Sequence, residues 1–388
     1  MTLGLSKRCD FIARSEIRNM SVECERAGGI NLSQGVCDMP TPKAVVEGAV
    51  EAMRRGHNSY TRHDGVAELR QAIARKMRDF NGIPADPETE IVVSGGSTGA
   101  LYAACMALLN PGDEVILFEP YYGYHVQTLL AVDAVPVYVR MSPPDWSFRE
   151  ADIERVITAK TKALIINTPA NPSGKVFSRK ELEFLAGMAA KHDLFIFTDE
   201  IYEYILYDGL KHISPSTIPG ARERTITISG FSKTFSITGW RLGYSVSHRK
   251  WAQMIGYMSD LVYVCPPSPL QYGAAKGLLE LGPDYYAELC KDLYAKRELL
   301  CRALEEGGMP PFRPAGAYYV LADISRLKGA TGKEKAMRLL ETTGVACVPG
   351  EAFFHRPEDG DNIARFCYAK TNADLTQACD RLAACRCA

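Results

Sequence analysis

The chain has 388 residues, of which 46% are hydrophobic and 23% are charged, and its formal net charge at pH 7 is −1. This composition is typical of a soluble globular protein. The length of the chain predicts two domains. The balanced charge, without runs of Lys and Arg, argues against a nucleic-acid surface.

No apolar stretch is long enough to cross a bilayer, and residues 1–10 lack the apolar core of a secretory signal. We therefore predict a cytoplasmic protein that contacts no membrane. The twelve cysteines are scattered singly, except for Cys385 and Cys387 near the end, which we interpret as a possible exposed thiol pair. Because no pair has the spacing of a zinc site, we expect mostly buried thiols and no metal.

Near the N-terminus, Thr41-Pro42 predicts the start of a helix that ends near Gly56. The centre then alternates β-rich runs with amphipathic segments, one of which opens with the capping box Ser178–Glu181. We predict seven central strands, several of them continuously apolar: Ile91–Ser94, Glu114–Glu119, Val135–Arg140, Ala163–Thr168, Leu194–Asp199, Thr225–Ser229 and Leu242–Ser247.

The last hundred residues mix helices with short strands such as Ala317–Ala322 and Ala364–Tyr368. The strand–helix alternation predicts an α/β fold, with a three-layer α/β/α domain around a mostly parallel sheet. We expect this large domain to span residues 46–285. A smaller α+β domain would be built from both chain termini, residues 1–45 and 286–388.

The run Gly95–Leu101 follows a predicted strand and opens a helix, an arrangement that favours a phosphate site. A dinucleotide site is the rival interpretation, since Glu119 lies twenty residues after Gly99. The spacing of Tyr272 and Lys276 also resembles the Tyr-x-x-x-Lys pair of short-chain dehydrogenases. We disfavour a dehydrogenase, because both matches are short and about ninety preceding residues would lack a role.

Two further motifs follow predicted strands, where α/β sheets place ligands. The Asn-Pro-Ser-Gly run that begins at Asn171 is by itself only a turn. Asp199 ends an apolar strand, and Tyr202 follows three residues later. A carboxylate in this place is either a helix cap or a functional charge, such as the partner of a cofactor's ring nitrogen.

The most informative run is Ser229–Gly243, which places Lys233 among small and apolar residues and Arg241 eight residues later. Poor solvation favours the neutral form of a lysine, and a neutral amine forms imines with aldehydes. Arginine is a fixed cation suited to a phosphate. A reactive amine beside a phosphate anchor indicates a pyridoxal 5'-phosphate (PLP) site.

Together these motifs resemble the class I/II aminotransferases, which are fold type I PLP enzymes of the aspartate aminotransferase superfamily. The resemblance covers nearly the whole chain, with the motifs in the family's order. It implies that Lys233 forms an imine with PLP and later carries protons, and that Asp199 pairs with the pyridine nitrogen. It also implies that Tyr202 and Asn171 bind the phenolic oxygen of PLP, and that Tyr122 stacks on its ring.

The resemblance further assigns five residues to the PLP phosphate: Gly96, Ser97, Thr98, Ser232 and Arg241. Ser229 is a weaker match for the same role. Tyr60 matches a tyrosine that reaches the phosphate in the neighbouring subunit, which implies a homodimer with shared active sites. For the substrate, Arg365 matches the arginine that pairs with the α-carboxylate, near Asn171, and Gly35 matches a backbone donor to it. The chain departs from the family at Cys37–Met39, where many relatives have Pro-Asp-Phe.

Other polar residues receive plainer interpretations. We interpret His125 as a partly buried structural histidine. Arg18 and Arg62 could supply charge to a substrate carboxylate, but we favour ion pairs at the surface for both.

The resemblance implies an aminotransferase that moves an amino group from an L-amino acid to a 2-oxo acid, such as 2-oxoglutarate, in a ping-pong cycle. A PLP-dependent carbon–sulfur β-lyase is the alternative enzyme on the same fold. A PLP-binding regulator domain is disfavoured, because we expect no room for a DNA-binding domain before Gly35.

Overall fold

The computed structural model describes residues 4–12 and 15–385, so Cys387 lies outside the described residues. In this part of the chain there are thirteen strands: β1 Ile30–Asn31, β2 Ile91–Ser94, β3 Glu114–Glu119, β4 Val135–Arg140, β5 Thr161–Asn167, β6 Phe195–Asp199, β7 Thr225–Gly230, β8 Gly243–Val246, β9 Pro311–Phe312, β10 Tyr319–Asp323, β11 Val345–Ala346, β12 Val348–Pro349 and β13 Ile363–Cys367. The same residues form twelve α-helices: α1 Glu16–Arg26, α2 Lys43–Arg54, α3 Ala67–Lys76, α4 Gly96–Leu108, α5 Gly123–Ala131, α6 Glu150–Val156, α7 Arg179–Lys191, α8 Arg249–Tyr263, α9 Ser268–Glu280, α10 Pro283–Glu306, α11 Gly332–Thr343 and α12 Asn372–Ala384.

The seven predicted central strands form one sheet in the order β2-β8-β7-β6-β5-β3-β4. All neighbouring pairs are parallel except those of β8, which is antiparallel to both β2 and β7. The predicted and observed strand ends differ by at most two residues. The mostly parallel sheet is therefore confirmed.

Helices cover both faces of this sheet. Successive residues of a strand point to opposite faces, and the packing follows this alternation. On one face Ile116 and Leu164 pack with Leu185 of α7. On the other face Leu117 and Ile165 pack with helices α4, α5 and α8. This arrangement confirms the predicted three-layer α/β/α architecture and explains why the strands are apolar without alternation.

A second group of strands is built mainly from the C-terminal part of the chain. Strands β12, β13, β10 and β9 form an antiparallel sheet, and β1 pairs in parallel with β11. Helices α10 and α12 share a buried core with β10 and β13. The division at residues 285 and 286 stays a prediction, and it falls inside α10, which runs without interruption from Pro283 to Glu306.

Local signals set several helix ends. The predicted capping box is present at α7, where the Ser178 hydroxyl accepts from the Glu181 amide and the Glu181 carboxylate accepts from the Ser178 amide. No helix in residues 4–12 and 15–385 has both the length and the apolar character needed to cross a membrane.

The fold positions polar residues at one edge of the large sheet. Asn167, Asp199 and Gly230 end the neighbouring parallel strands β5, β6 and β7. The carboxyl ends of parallel strands lie at the same edge, which is where sheets of this type bind ligands. The N-terminus of α4 follows β2, and the residues at this edge surround a cavity.

Candidate active site

A cavity of about 450 Å³ opens at the carboxyl edge of the large sheet. Among the residues that line it are eleven of the predicted site residues: Gly35, Ser97, Thr98, Tyr122, Asn171, Asp199, Tyr202, Ser232, Lys233, Arg241 and Arg365. Residues separated by more than three hundred positions in the sequence thus meet in one place. Two predicted residues, Gly96 and Tyr60, do not line this cavity in the described structure.

Lys233 lies in the loop after β7, and its amine faces the cavity. The Lys233 Nζ donates a hydrogen bond to the Gly35 carbonyl at 2.9 Å and lies 5.7 Å from the ring centre of Tyr318. Desolvation lowers the pKa of Lys233 to about 8, and the positive charges of Arg365 and Arg241 act in the same direction. A substantial fraction of this amine is therefore neutral and nucleophilic near physiological pH.

Asp199 is held by a buried histidine. The Asp199 Oδ2 lies 2.9 Å from His125 Nε2, and Asp199 Oδ1 accepts from the amide of Ile201 at 3.2 Å. We interpreted His125 as a structural residue, and its link to the site was missed. Because Tyr122 and His125 are three residues apart at the start of α5, their side chains lie on one side, with ring centres 5.3 Å apart. The three-residue spacing of Tyr122 and His125 could have indicated that His125 lies near the site.

Tyr319 is a second site residue that the sequence did not indicate. Its hydroxyl lies 2.9 Å from the hydroxyl of Tyr202, and burial raises the pKa of Tyr202 well above its usual range. A Cβ atom at Gly35 would lie 2.8 Å from the Cζ of Tyr319 and would overlap its hydroxyl. A side chain at position 35 would therefore require Tyr319 to move. No local motif marks Tyr319, because it meets Tyr202 across 117 residues.

Arg365 lies on β13, is fully buried and presents a guanidinium to the cavity. It donates to the side-chain oxygen of Asn171 at 2.8 Å and to the Ser33 carbonyl at 2.6 Å. Its Nε has no hydrogen-bond partner among the described residues. A buried cation without a counter-ion is costly, so this site fits the carboxylate of a ligand.

The first turn of α4 is suited to bind an anion. Its N-cap, Gly95, supplies no side-chain hydrogen bond, so the first amides of the helix are free to bind a ligand. Ser97 and Thr98 add hydroxyls at the cavity wall. Gly96 has a φ of +79°, and a Cβ there would lie 2.6 Å from Nη2 of Arg241. Amides, hydroxyls and a guanidinium in this arrangement fit a phosphate group.

Arg241 itself has an unusual backbone. Its φ is +55°, in the left-handed region that residues with a Cβ rarely adopt. This conformation follows the short helical turn Thr238–Trp240, and the Arg241 Nη1 donates to the Thr238 carbonyl at 2.9 Å. Backbone outliers of this kind cluster at functional sites, which agrees with the place of Arg241 in the cavity wall.

The remaining candidates lie elsewhere. Tyr60 is 83% exposed and lines a separate cavity that also includes Tyr272. Ser229 is buried and donates to the Glu203 carboxylate at 2.7 Å. Tyr272 and Lys276, the residues of the dehydrogenase-like pair, line no part of the active-site cavity in the described structure, and the Lys276 amine lies 3.8 Å from the Glu51 carboxylate.

A buried polar cluster lies behind Asp199. The ligand atoms of Glu200, Glu203 and His212 lie within 4.8 Å of one another. However, the Lys76 amine lies 2.5 Å from the Glu203 carboxylate, and the Ser214 hydroxyl donates to Glu200 at 2.7 Å. Because Lys76 already neutralises one carboxylate, we interpret the cluster as a structural ion-paired network.

Comparisons with known proteins agree with this geometry. Residues 27–382 match the family model described as aminotransferase class I and II. The chain is 36% identical to an aspartate aminotransferase of Pyrococcus abyssi and 35% identical to aromatic-amino-acid aminotransferase 2 of Thermococcus litoralis, and each match covers 98% of this chain and 97% of the relative. It is also similar to the N-succinyldiaminopimelate aminotransferase structure from Mycobacterium tuberculosis, with a TM-score of 0.94, 32% identity and coverage of 98% and 99% of the two chains.

These matches confirm the predicted family, fold, activity and cofactor. Full-length identity above 30% to several aminotransferases accompanies a cavity that holds a desolvated lysine, a carboxylate, a carboxylate-binding arginine and an anion site. The chain therefore belongs to the class I and II aminotransferases, enzymes that transfer amino groups with pyridoxal 5'-phosphate as their cofactor.

Proposed function

We propose that the enzyme transfers the amino group of an L-amino acid to a 2-oxo acid of the 2-oxoglutarate type in two half-reactions, with Lys233 as the residue that carries the proton. The observation that carries the proposal is the meeting of Lys233, Asp199 and Arg365 in one cavity. This set provides an acid–base group, a counter-ion for a ring nitrogen and a carboxylate anchor.

The residues of the cavity fit the cofactor. When bound, PLP supplies an aldehyde that takes up the amino group and a protonated ring that withdraws electrons. Asp199, oriented by His125, would hold the ring nitrogen in its protonated form. The other groups of the cofactor would contact residues that share the cavity wall: Ser97, Thr98, Ser232 and Arg241 at the phosphate, Asn171 and Tyr202 at the phenolic oxygen, and Tyr122 at the ring face.

The substrate is oriented by Arg365 and deprotonated by Lys233. Arg365 would bind the α-carboxylate through its guanidinium, whose described partners include no carboxylate, while Asn171 keeps the guanidinium in place. This contact directs the Cα–H of the substrate toward the Lys233 amine. A base with a pKa of about 8 is present in both protonation states near neutral pH, so Lys233 can both take the proton and return it.

Replacing Lys233 with alanine tests this assignment. Loss of the acid–base group should reduce turnover by at least about 10²- to 10⁴-fold. Lys276→Ala is the matched control, because Lys276 lies outside the cavity, and it should keep wild-type turnover. The assay measures the oxo acid and the new amino acid with 2-oxoglutarate present. A Lys233→Ala enzyme with wild-type turnover would refute the role, and ammonia release without an acceptor would instead indicate a β-lyase.

We also propose that the enzyme is a homodimer with shared active sites. Tyr60 is 83% exposed, and the nearby end of α8 exposes Leu261 and Val262 by 80% and 59%. The amide of Thr61 donates to the Cys265 sulfur at 3.4 Å, which joins these two segments into one surface. Exposed apolar residues on two segments joined in this way are typical of a protein–protein interface.

This surface borders the phosphate site. Tyr263, in the last turn of α8, accepts a hydrogen bond from the Gly95 amide at 3.1 Å, next to the first turn of α4. A second subunit seated here would therefore bring its own Tyr60 close to the phosphate. Tyr60 lies outside the cavity of its own chain, which supports a contribution from the second subunit.

Mixed dimers test this proposal. Lys233→Ala and Tyr60→Ala subunits should each be impaired alone, whereas a hybrid dimer places an intact Lys233 opposite an intact Tyr60 in one of its two sites. Random reassociation makes about half of the dimers hybrids, so about a quarter of all active sites should be intact. The absence of any recovery in a mixture shown to contain hybrid dimers would contradict a shared site.

A further inference from the structure

One cation of the active-site cavity has no role in the proposed mechanism. Four basic residues line the cavity: Arg18, Lys233, Arg241 and Arg365. The last three serve proton transfer, the phosphate and the α-carboxylate. Arg18 is exposed, as expected of a surface residue, and it also lies in the cavity wall at the N-terminal end of α1.

The surroundings of Arg18 leave its guanidinium available. Its side chain has no hydrogen-bond or ion-pair partner among residues 4–12 and 15–385. The neighbouring carboxylate of Glu16 is turned elsewhere, since it accepts from Asn19 at 2.9 Å and lies 3.5 Å from the Lys333 amine. Arg62, the other arginine interpreted as a surface residue, contrasts with Arg18, because it pairs with Glu88 at 2.8 Å.

A second free donor lies beside Arg18. Ser15 also lines the cavity, and its hydroxyl makes no capping hydrogen bond to α1. Residues three apart at a helix start project from the same side, so Ser15 and Arg18 face the cavity together. Asp199 is the only acidic residue in the described cavity wall, and His125 already occupies it. No carboxylate in the described cavity wall is therefore left to neutralise Arg18.

We propose that Arg18 is a specificity-determining residue that binds the second carboxylate of a dicarboxylic substrate, with the Ser15 hydroxyl as an additional donor. The inference rests on the proposed function, which assigns the first carboxylate to Arg365. A guanidinium donates two parallel hydrogen bonds to a carboxylate, and charge-assisted bonds of this type are among the strongest in proteins. The substrate class is therefore acidic amino acids and their oxo acids.

The cavity wall also contains apolar and aromatic groups that define the competing outcome. Ile17, next to Arg18 in the sequence, is one of them, and Val36 and Tyr124 are others. An apolar or aromatic substrate side chain would pack on these residues and would not need the guanidinium. If Arg18 binds a carboxylate, removing its charge weakens the binding of dicarboxylic ligands alone. If the site binds apolar side chains, the loss of charge affects monocarboxylic and dicarboxylic ligands alike.

Binding of two unreactive four-carbon acids to the holoenzyme tests the proposal. Succinate has a second carboxylate and butanoate has a methyl group in its place. In Arg18→Leu the dissociation constant of succinate should rise by about 10- to 100-fold, the worth of a hydrogen-bonded charge pair, while that of butanoate stays unchanged. Arg18→Lys should retain part of the preference. Arg26→Leu, on the same helix but outside the cavity, is the matched control and should bind both acids as the wild type does.

The outcome that overturns the proposal is equally specific. Equal affinities for the two acids in the wild type, or an Arg18→Leu variant that changes both alike, would assign this end of the cavity to apolar side chains. The binding measurement needs no turnover. If wild-type enzyme binds succinate through Arg18 but converts no amino acid, the proposed function fails and the assignment of Arg18 stands.

Discussion

Raising the pH of the apoprotein should accelerate the attachment of PLP to Lys233, and the acceleration should level off near the lysine's pKa of about 8. Only the neutral amine attacks an aldehyde, and desolvation makes the neutral form available at lower pH than in an exposed lysine, whose pKa is 10.5. At about pH 7.5, about a quarter of the Lys233 side chains would be neutral, against about one in a thousand for the exposed lysine. The neutral fraction of Lys233, and with it the expected rate of attachment, is therefore about 200-fold higher than that of an exposed lysine.

Rapid mixing of apoprotein with PLP at a series of pH values measures this rate through the absorbance change on attachment. The rate with Nα-acetyl-lysine under the same conditions, divided by the neutral fraction of its own amine, corrects for the pH dependence of the aldehyde, and Lys233→Ala gives the background. A corrected rate that keeps rising about tenfold per pH unit to about pH 10 would show an ordinary, solvated lysine. That result would refute the inference that the cavity desolvates Lys233.

Two further predictions concern residues around the cavity. Gly35→Ala should push Tyr319 away from Tyr202, lower the free energy of unfolding by about 1–3 kcal/mol and reduce turnover. Denaturant titration measures the first effect on stability, and steady-state kinetics measures turnover. An unchanged free energy of unfolding would show that Tyr319 moves freely. Lys76→Met leaves the buried Glu203 without its counter-ion and should cost about 3–5 kcal/mol in the same unfolding assay, whereas a cost below about 1 kcal/mol would mean that the pair is solvated.

The strands of the large sheet could be located from the sequence because each is a short apolar run bounded by turn residues. Their order could not, since apolar runs identify buried strands without naming their neighbours. Strand β8 shows this limit, because it enters the sheet between β2 and β7 and runs antiparallel to both. Its amino acids resemble those of the parallel strands beside it.

The cofactor-binding residues were predictable to the extent that they lie in short motifs. The run from Ser229 to Gly243 contains both the amine and the phosphate-binding arginine, so local spacing sufficed for Lys233 and Arg241. Tyr319 and Arg18 lie in no motif. Their place in the cavity depends on β10 and α1 packing against distant segments, which the local pattern of side chains does not specify.

Residue types and local spacing specify the chemistry available to this protein: a lysine in apolar surroundings, an arginine at a fixed spacing from it and a carboxylate at the end of a buried strand. Packing of distant segments specifies which of these groups meet. It brings Arg365 to Asn171 across 194 residues, joins His125 to Asp199 and places Arg18 in the cavity wall. The physical reason is that residue spacing encodes the face of a helix or strand, whereas contact between distant segments depends on how those faces pack.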